Sequence, residues 1–239
     1  MQSQNSLNLS NGIFFKLKSS FKKLYKNSNF YEKRISKTFD NNFEYKPSPH
    51  LLSSIIKYQK KKYKIEDFAT EAIWKNNISS KDFKKLNNFF WFFSLDLKSS
   101  KETTQSIILN WINKNEKFDE NIWEFNITAK RIIAWLSNHQ LTYEDSNEEY
   151  RLFFNHMLQK QTNHLLNEIK NLSEIEEKLI GCAAIILTGL AYKDEKNYLD
   201  SGLNILKNII KQSLDKQGFP RSRSIQNLVF YLKYLIIIR

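Results

Sequence analysis

The sequence predicts an all-α protein built from antiparallel helical hairpins. Three observations carry that expectation. Glycine and proline are scarce, at 5 and 3 residues in 239, too few to supply the tight turns of a β-rich chain. Apolar residues recur at helical spacing through most of residues 101–214, the pattern of helices with one buried face. The stretches between them are short and polar, as connections between antiparallel helices are.

Taken in order, Pro47-Ser48-Pro49-His50 marks a turn and a boundary. Residues 67–75 form a short aromatic-bearing stretch around Trp74, and a helix over 82–97 follows. Phe89, Phe90, Trp91, Phe92 and Phe93 sit at its centre; consecutive aromatics on a helix point in every direction, so this one must be covered on most sides. Residues 101–113 are amphipathic, with Ile107, Ile108, Trp111 and Ile112 on one face. Trp123 lies in a loop that leads into a helix over 128–138. A long helix over 148–172 has apolar positions at Leu152, Phe153, Met157, Leu158, Leu165, Leu166 and Ile169. The next, 173–192, opens with Ser173 and Glu176 at the spacing of a capping box. Residues 194–214 continue the pattern, Gly218 and Pro220 break it, and Ser224 starts a last apolar helix ending in Leu235-Ile-Ile-Ile-Arg239. The sum is seven or eight helices. So apolar an ending is expected of a chain cut before a second domain, or of a helix that docks on a partner.

The net charge of +12 is unevenly placed. Residues 1–64 hold 14 Lys/Arg against 3 Asp/Glu, whereas residues 65–239 hold 23 against 22. The chain therefore divides into a basic, partly ordered N-terminal extension (1–64) and a near-neutral helical domain (65–239). In the extension Lys22-Lys23, Lys33-Arg34 and Lys60-Lys61-Lys62 alternate with Phe14, Phe15, Phe21, Tyr25, Phe30 and Tyr31. Such a segment suits an anionic membrane surface or a nucleic acid. The favoured reading is an arm that packs its aromatics on the domain, and the near-neutral remainder counts against nucleic acid.

Several classes drop out. Cys182 is the only cysteine, so no internal disulfide forms, and its apolar surroundings mark a buried, inert thiol. The apolar run around it spans only residues 179–192, short of the roughly 20 residues that cross a bilayer. No secretory signal is visible, and the expectation is a cytoplasmic protein. The glycines are too few for a phosphate loop, and His50, His139, His156 and His164 are too dispersed to chelate a metal. No cofactor is expected.

What remains is an aromatic and arginine-bearing stretch. Arg131 and Trp135 are four residues apart and share a helical face, just after Trp123. A guanidinium beside large rings holds flat or anionic groups. On helical periodicity alone the favoured reading is that Trp135, Ile132 and Leu136 are core and Arg131 snorkels from its edge; in the other, Arg131 and the rings face a ligand.

In order, Phe89-Phe90-Trp91-Phe92, Leu95-Asp96-Leu97, Trp111-Ile112, Trp123 and Thr128-Ala-Lys-Arg131-Ile-Ile-Ala-Trp135-Leu136 resemble the N-terminal helical domain of the heparinase II/III-like polysaccharide lyases. The resemblance extends through Gln161-Thr-Asn-His164-Leu165 and Asp215-Lys-Gln-Gly218-Phe-Pro-Arg221-Ser-Arg223, covering roughly residues 65–239. It implies an incomplete α/α toroid, followed in the family by a C-terminal β-sandwich domain that this chain would lack. The implied activity is β-elimination beside a uronic acid, with an acidic polysaccharide as partner and a periplasmic location by analogy. This chain alone would lack the full catalytic set, so activity is left open. The family places an Asn-His pair where this chain reads Ser173-Glu-Ile-Glu-Glu-Lys-Leu-Ile180, and a Tyr near Asn227; Asn163-His164 occurs earlier. No catalytic residue is assigned. The implied sugar-binding residues are Trp123, Arg131, Trp135, Arg221 and Arg223, the last two reading equally well as a solvated basic loop. The alternative function is a non-catalytic helical scaffold or protein-interaction module.

Overall fold

The structure is a computed structural model describing residues 20–39, 43–44, 80–96, 98–192 and 196–238. The 67–75 stretch with Trp74, the Pro47–Pro49 boundary, Lys60-Lys61-Lys62, Phe14, Phe15 and His50 lie outside these residues, as does the 64/65 division. Among the described residues all regular structure is helical, apart from isolated bridge residues at Leu95 and at the Leu214–Pro220 pair. The all-α expectation holds.

After a helical segment at residues 20–26 come α1 (Asn29–Ile35), α2 (Ser80–Asn87), a 3-10 turn (Phe90–Ser94), α3 (Lys101–Asn115), α4 (Phe125–Ser137), α5 (His139–Thr142), α6 (Glu148–Glu168), a 3-10 turn (Ile169–Asn171), α7 (Ile175–Ala191), α8 (Lys196–Ser213) and α9 (Ile225–Ile237). Side-chain oxygens of Ser28, Ser100, Asn147 and Ser224 accept backbone N–H bonds at the starts of α1, α3, α6 and α9. Each satisfies a donor that the first turn leaves open.

Two local expectations fail for physical reasons. The expected helix over 82–97 stops at Asn87, and Phe89 turns left-handed with φ 56°. A continuous helix would aim its aromatics outward as well as inward. The break folds them into a 3-10 turn instead, leaving Phe89 and Phe92 fully buried. The strain at Phe89, about 1–2 kcal/mol, is offset by ring burial and by the Asn88 carboxamide accepting the Phe90 N–H. The capping box on α7 does not form either. Its N-cap is Glu174, without a side-chain cap bond, and the Ser173 hydroxyl donates to the Glu174 carboxylate instead.

Helix α7 is the centre of the assembly, packed on α8, α4, α9 and α6. Its small residues permit this. A Cβ at Gly189 would stand 2.5 Å from the Leu199 backbone nitrogen, and one at Gly181 would stand 2.2 Å from the Phe125 ring. Gly202 of α8 answers with its own close approach to Ile186, and Cys182 Sγ donates to the Gly202 carbonyl. Burial pushes that thiol up to about 12, as expected of an inert cysteine.

The described arm residues join the same body through one polar stripe on α6. Gln159 accepts the Phe39 N–H at 2.8 Å and donates to the Phe39 carbonyl at 3.0 Å. Asn163 donates to the Ile35 and Lys37 carbonyls. Lys160 is almost fully buried, pairing with Glu32 and donating to the Glu116 carbonyl. The hydroxyl of Tyr31 and Nδ1 of His164 share a 2.7 Å hydrogen bond, and Lys22 and Lys26 flank Glu168. Burial acts to raise the Glu168 pKa, but the two ammoniums overcome it and hold the carboxyl below its usual range. Tyr31 and Ile35 are buried, whereas Phe21 and Phe30 are exposed. The arm packs some of its aromatics on the domain and leaves others in solvent.

His164 supplies a titration test. Burial first, then the Lys26 charge, holds its pKa down at about 3, against about 6.5 in an unfolded chain. Above about pH 6.5 both states are neutral and the residue contributes no pH dependence. Below it the unfolded chain takes a proton the folded state refuses, so stability falls by about 1.4 kcal/mol per pH unit. His156 is also lowered, by burial and then Lys160, and adds to the slope. Urea unfolding between pH 7 and pH 5 should show this loss, and His164→Gln should flatten it. An unchanged slope in that variant would place the loss elsewhere.

Candidate functional site

Arg131 and Trp135 share a face of α4, as the spacing requires, but that face points inward. Trp123, Arg131 and Trp135 are each exposed by 1% or less. The Arg131 guanidinium stacks 4.0 Å from the Trp111 ring centroid. Its Nε donates to Gln161 Oε1 at 2.6 Å, its Nη1 to the Asn87 and Ile122 carbonyls, and its Nη2 to the Thr128 hydroxyl. Trp135 meets Phe89 and Trp111 edge to face, and Trp123 donates its indole N–H to the Asn115 carbonyl. None of the three presents a face to a ligand in this structure. The groove-facing expectation for Arg131 and Trp123 gives way to an interior role, because each donor is answered by a carbonyl, amide or hydroxyl reachable only from inside.

Asn163 and His164 are likewise taken up by the arm, through Ile35, Lys37 and Tyr31. His164, neutral and buried against Trp123 and Phe118, has no open face for proton transfer.

Arg221 and Arg223 are exposed on the turn between α8 and α9. Asp215 organises that turn by accepting the N–H groups of Gln217 and Phe219. Gly218 adopts φ 83°, where a Cβ is disfavoured, and Arg223 adopts φ 56°. The Phe219 N–H, with help from Gln217 and the two arginines, holds the Asp215 carboxyl below its usual range. Arg223 pairs with Asp215 at 2.9 Å, while Arg221 reaches only the Lys211 carbonyl at 3.4 Å. The turn is therefore built, and its Arg221 charge faces solvent.

This turn feeds a hydrogen-bonded row that sequence reasoning passed over. Asn227 of α9 donates to the Ser222 hydroxyl at 3.1 Å. One helical turn on, Tyr231 donates its hydroxyl to Glu176 Oε1 on the first turn of α7, at 3.4 Å. Burial and the Glu176 carboxylate raise the Tyr231 pKa, against a smaller opposing contribution from Asn227. The phenol stays protonated at neutral pH and can give a proton rather than take one. Lys233 of α9 and Lys130 of α4 are both half-buried. The only hint of Tyr231 in the sequence was its place one turn beyond Asn227, and its contact across 55 residues left no local signal.

A second candidate is a cleft of about 670 Å³ between the arm and α6, lined by Phe39, Glu116, Tyr143, Arg151, Phe153 and His156 among others. Arg151 already stacks on the Tyr143 ring, and His156 is tied to the Thr38 hydroxyl at 2.9 Å. Glu116 and Glu148 outnumber the single guanidinium of the lining, so the cleft does not favour a polyanion. Among the described residues no three His, Cys, Asp or Glu side chains gather as metal ligands. Comparison with family models, with curated proteins and with solved structures finds no match.

The interior role of Arg131 is testable. Arg131→Lys keeps the charge but loses the planar fork that meets Gln161, Thr128 and two carbonyls. It should cost about 3 kcal/mol in urea unfolding, the upper end of the range for leaving a buried hydrogen-bonding group unsatisfied. Wild-type stability in this variant would show that the fork is not what holds these segments.

Proposed function

We propose that this chain is the helical domain of a heparinase II/III-like polysaccharide lyase, an incomplete α/α toroid that holds an acidic, uronate-containing polysaccharide for β-elimination. The observation that carries this reading is the meeting of Tyr231 with Glu176. The resemblance ties two separate stretches to the chemistry, the start of α7 and the segment after Gly218. The fold brings those stretches into hydrogen-bond reach of each other. The built turn beside them offers Arg221 to a polymer carboxylate.

In β-elimination a base takes the proton α to the carboxylate, the freed electron pair forms a carbon–carbon double bond, and the glycosidic C–O bond breaks. The leaving oxygen then needs a proton. Tyr231 suits that step, because burial and Glu176 keep its phenol protonated. The base is assigned to no residue of this chain.

Supplied with the C-terminal β-sandwich domain that this reading requires, the protein should act on a panel of uronate polysaccharides to produce unsaturated ends that absorb in the ultraviolet, whereas alone it should bind them without cleavage. Tyr231→Phe should lower that rate by about 100-fold or more while leaving polymer binding intact, the scale of a lost general acid. Absence of both cleavage and binding across the panel would sink the lyase reading.

One observation favours the scaffold alternative. Ile225, Val229, Leu232 and Ile236 form an outward stripe on α9, with exposures of 77%, 61%, 47% and 41%. An interaction module would use such a face. In that case Leu232→Glu should convert an associating protein into a monomer by sedimentation, with no sugar binding to lose. A wild-type monomer that binds uronate polymer would eliminate the scaffold.

A further inference from the structure

Glu148, then Arg151 and Leu152, then Asn155 and His156 recur every three to four residues along α6, so they share one helical face. That face lines the cleft of about 670 Å³ together with Phe39, Glu116, Tyr143 and Phe153. The volume is that of a small-molecule site. Its walls are fixed from behind. Gln159 holds the Phe39 backbone through both the N–H and the carbonyl, and the Thr38 hydroxyl meets Nδ1 of His156. The Glu116 carbonyl accepts from the buried Lys160 ammonium.

The basic groups of the lining are already engaged. The Arg151 guanidinium lies 5.3 Å from the Tyr143 ring centroid, and its Nε donates to the Ser146 hydroxyl at 3.2 Å. Burial first, and then the Lys160 charge, disfavours the protonated form of His156, with Glu116 and Glu32 offsetting part of it. The acidic and aromatic groups are left open. Neither the Glu116 nor the Glu148 carboxylate has an ion-pair or hydrogen-bond partner among the described residues. The Phe39 and Phe153 rings are 46% and 44% exposed, and neither meets another ring among those residues.

We propose that this cleft binds a small organic cation, a quaternary ammonium or a protonated alkylamine. Its charge is set against the carboxylates of Glu116 and Glu148, and its alkyl groups lie on the rings of Phe39 and Phe153. Aromatic faces attract a cation and also cover apolar surface, so a cation with alkyl substituents uses both kinds of open group in the lining. The Arg151–Tyr143 contact makes the same pairing inside the cleft with the chain's own guanidinium. A neutral ligand of the same shape forfeits the charge, and an anion meets two carboxylates. The site is independent of the polysaccharide reading and uses none of the residues assigned to it.

Amide NMR titration of the protein with choline, with its uncharged carbon isostere dimethylbutanol and with spermidine tests the site. At least one of the two cations should shift the signals of Tyr143, Arg151 and His156 saturably, and dimethylbutanol should bind about tenfold or more weakly than choline where choline binds. Glu116→Gln, Glu148→Gln and Phe153→Leu should each weaken the cation about three- to fivefold, the worth of one exposed ion pair or ring contact. Glu149→Gln, outside the lining, should leave affinity unchanged, and unaltered urea midpoints in all four variants separate lost binding from lost folding. Choline binding alone assigns the site to quaternary ammoniums and spermidine binding alone to protonated amines; either upholds it. Equal affinity for choline and dimethylbutanol would overturn the proposal, as would cation binding indifferent to all three lining substitutions. No saturable shift with either cation would overturn it as well, and would leave the polysaccharide reading standing.

Discussion

Arg131 is a fully buried cation whose partners are a Gln161 carboxamide, two backbone carbonyls, the Thr128 hydroxyl and the Trp111 ring. A charge taken out of water must be compensated by dipoles placed around it. These dipoles come from different parts of the chain: Asn87 ends α2, Trp111 lies on α3, Ile122 precedes α4 and Gln161 sits midway along α6. Each partner must be in position for the guanidinium to be tolerated. The cost of leaving it unsatisfied therefore ties the four segments to one arrangement. Asn87 is used twice, since its side chain also accepts the Trp111 indole N–H at 2.9 Å. The left-handed turn at Phe89 follows from the same constraint, because α2 must stop where the Asn87 carbonyl can face Arg131.

A second constraint acts along α6. His156, Lys160, His164 and Glu168 recur every four residues, with Gln159 and Asn163 beside them, so they form one stripe, and that stripe is polar. A helix with a buried polar stripe needs a partner that satisfies it. The arm supplies one with backbone groups at Ile35, Lys37 and Phe39 and with side chains at Lys22, Lys26, Tyr31, Glu32 and Thr38. Part of the arm's positive charge is thereby spent on Glu168 inside the molecule. The clustering of basic residues, which alone suggests an anionic membrane or a nucleic acid, has for these lysines an internal explanation.

Helices with a simple apolar period were legible in the sequence. The run Ile107, Ile108, Trp111 and Ile112 predicted α3, and the apolar spacing after Glu148 predicted one helix over 148–172, which the structure divides into α6 and a closing 3-10 turn. Composition and spacing did not reveal which polar residues would be inside. Arg131 carries a charge at a helical position that also suits a surface, and only the dipoles gathered from elsewhere make its burial affordable. The failure at Ser173 is similar in kind: the spacing of a capping box was present, but the hydroxyl took the neighbouring Glu174 instead. The turn residues Arg221 and Arg223 were found because Gly218 and Pro220 announce a turn. Tyr231 and Glu176 were not paired in advance, since a contact across 55 residues leaves no periodic trace.

The central place of α7 explains why the candidate chemistry collects at its first turn. Gly181 lets the Phe125 ring of α4 approach within the space of a side chain, and Gly189 lets the α8 backbone do the same. With α4 and α8 drawn so near, the middle of α7 is closed, and its apolar residues from Leu179 to Ala191 are almost wholly buried. Only the start of the helix, where Glu176 and Glu177 lie half-exposed, is left for polar work. Carboxylates there are also favoured by the positive end of the helix dipole. Helix α9 packs on α7, and its Tyr231 reaches Glu176 at this same end. A site at this end inherits its rigidity from the glycine-mediated packing behind it, which a surface loop would not provide.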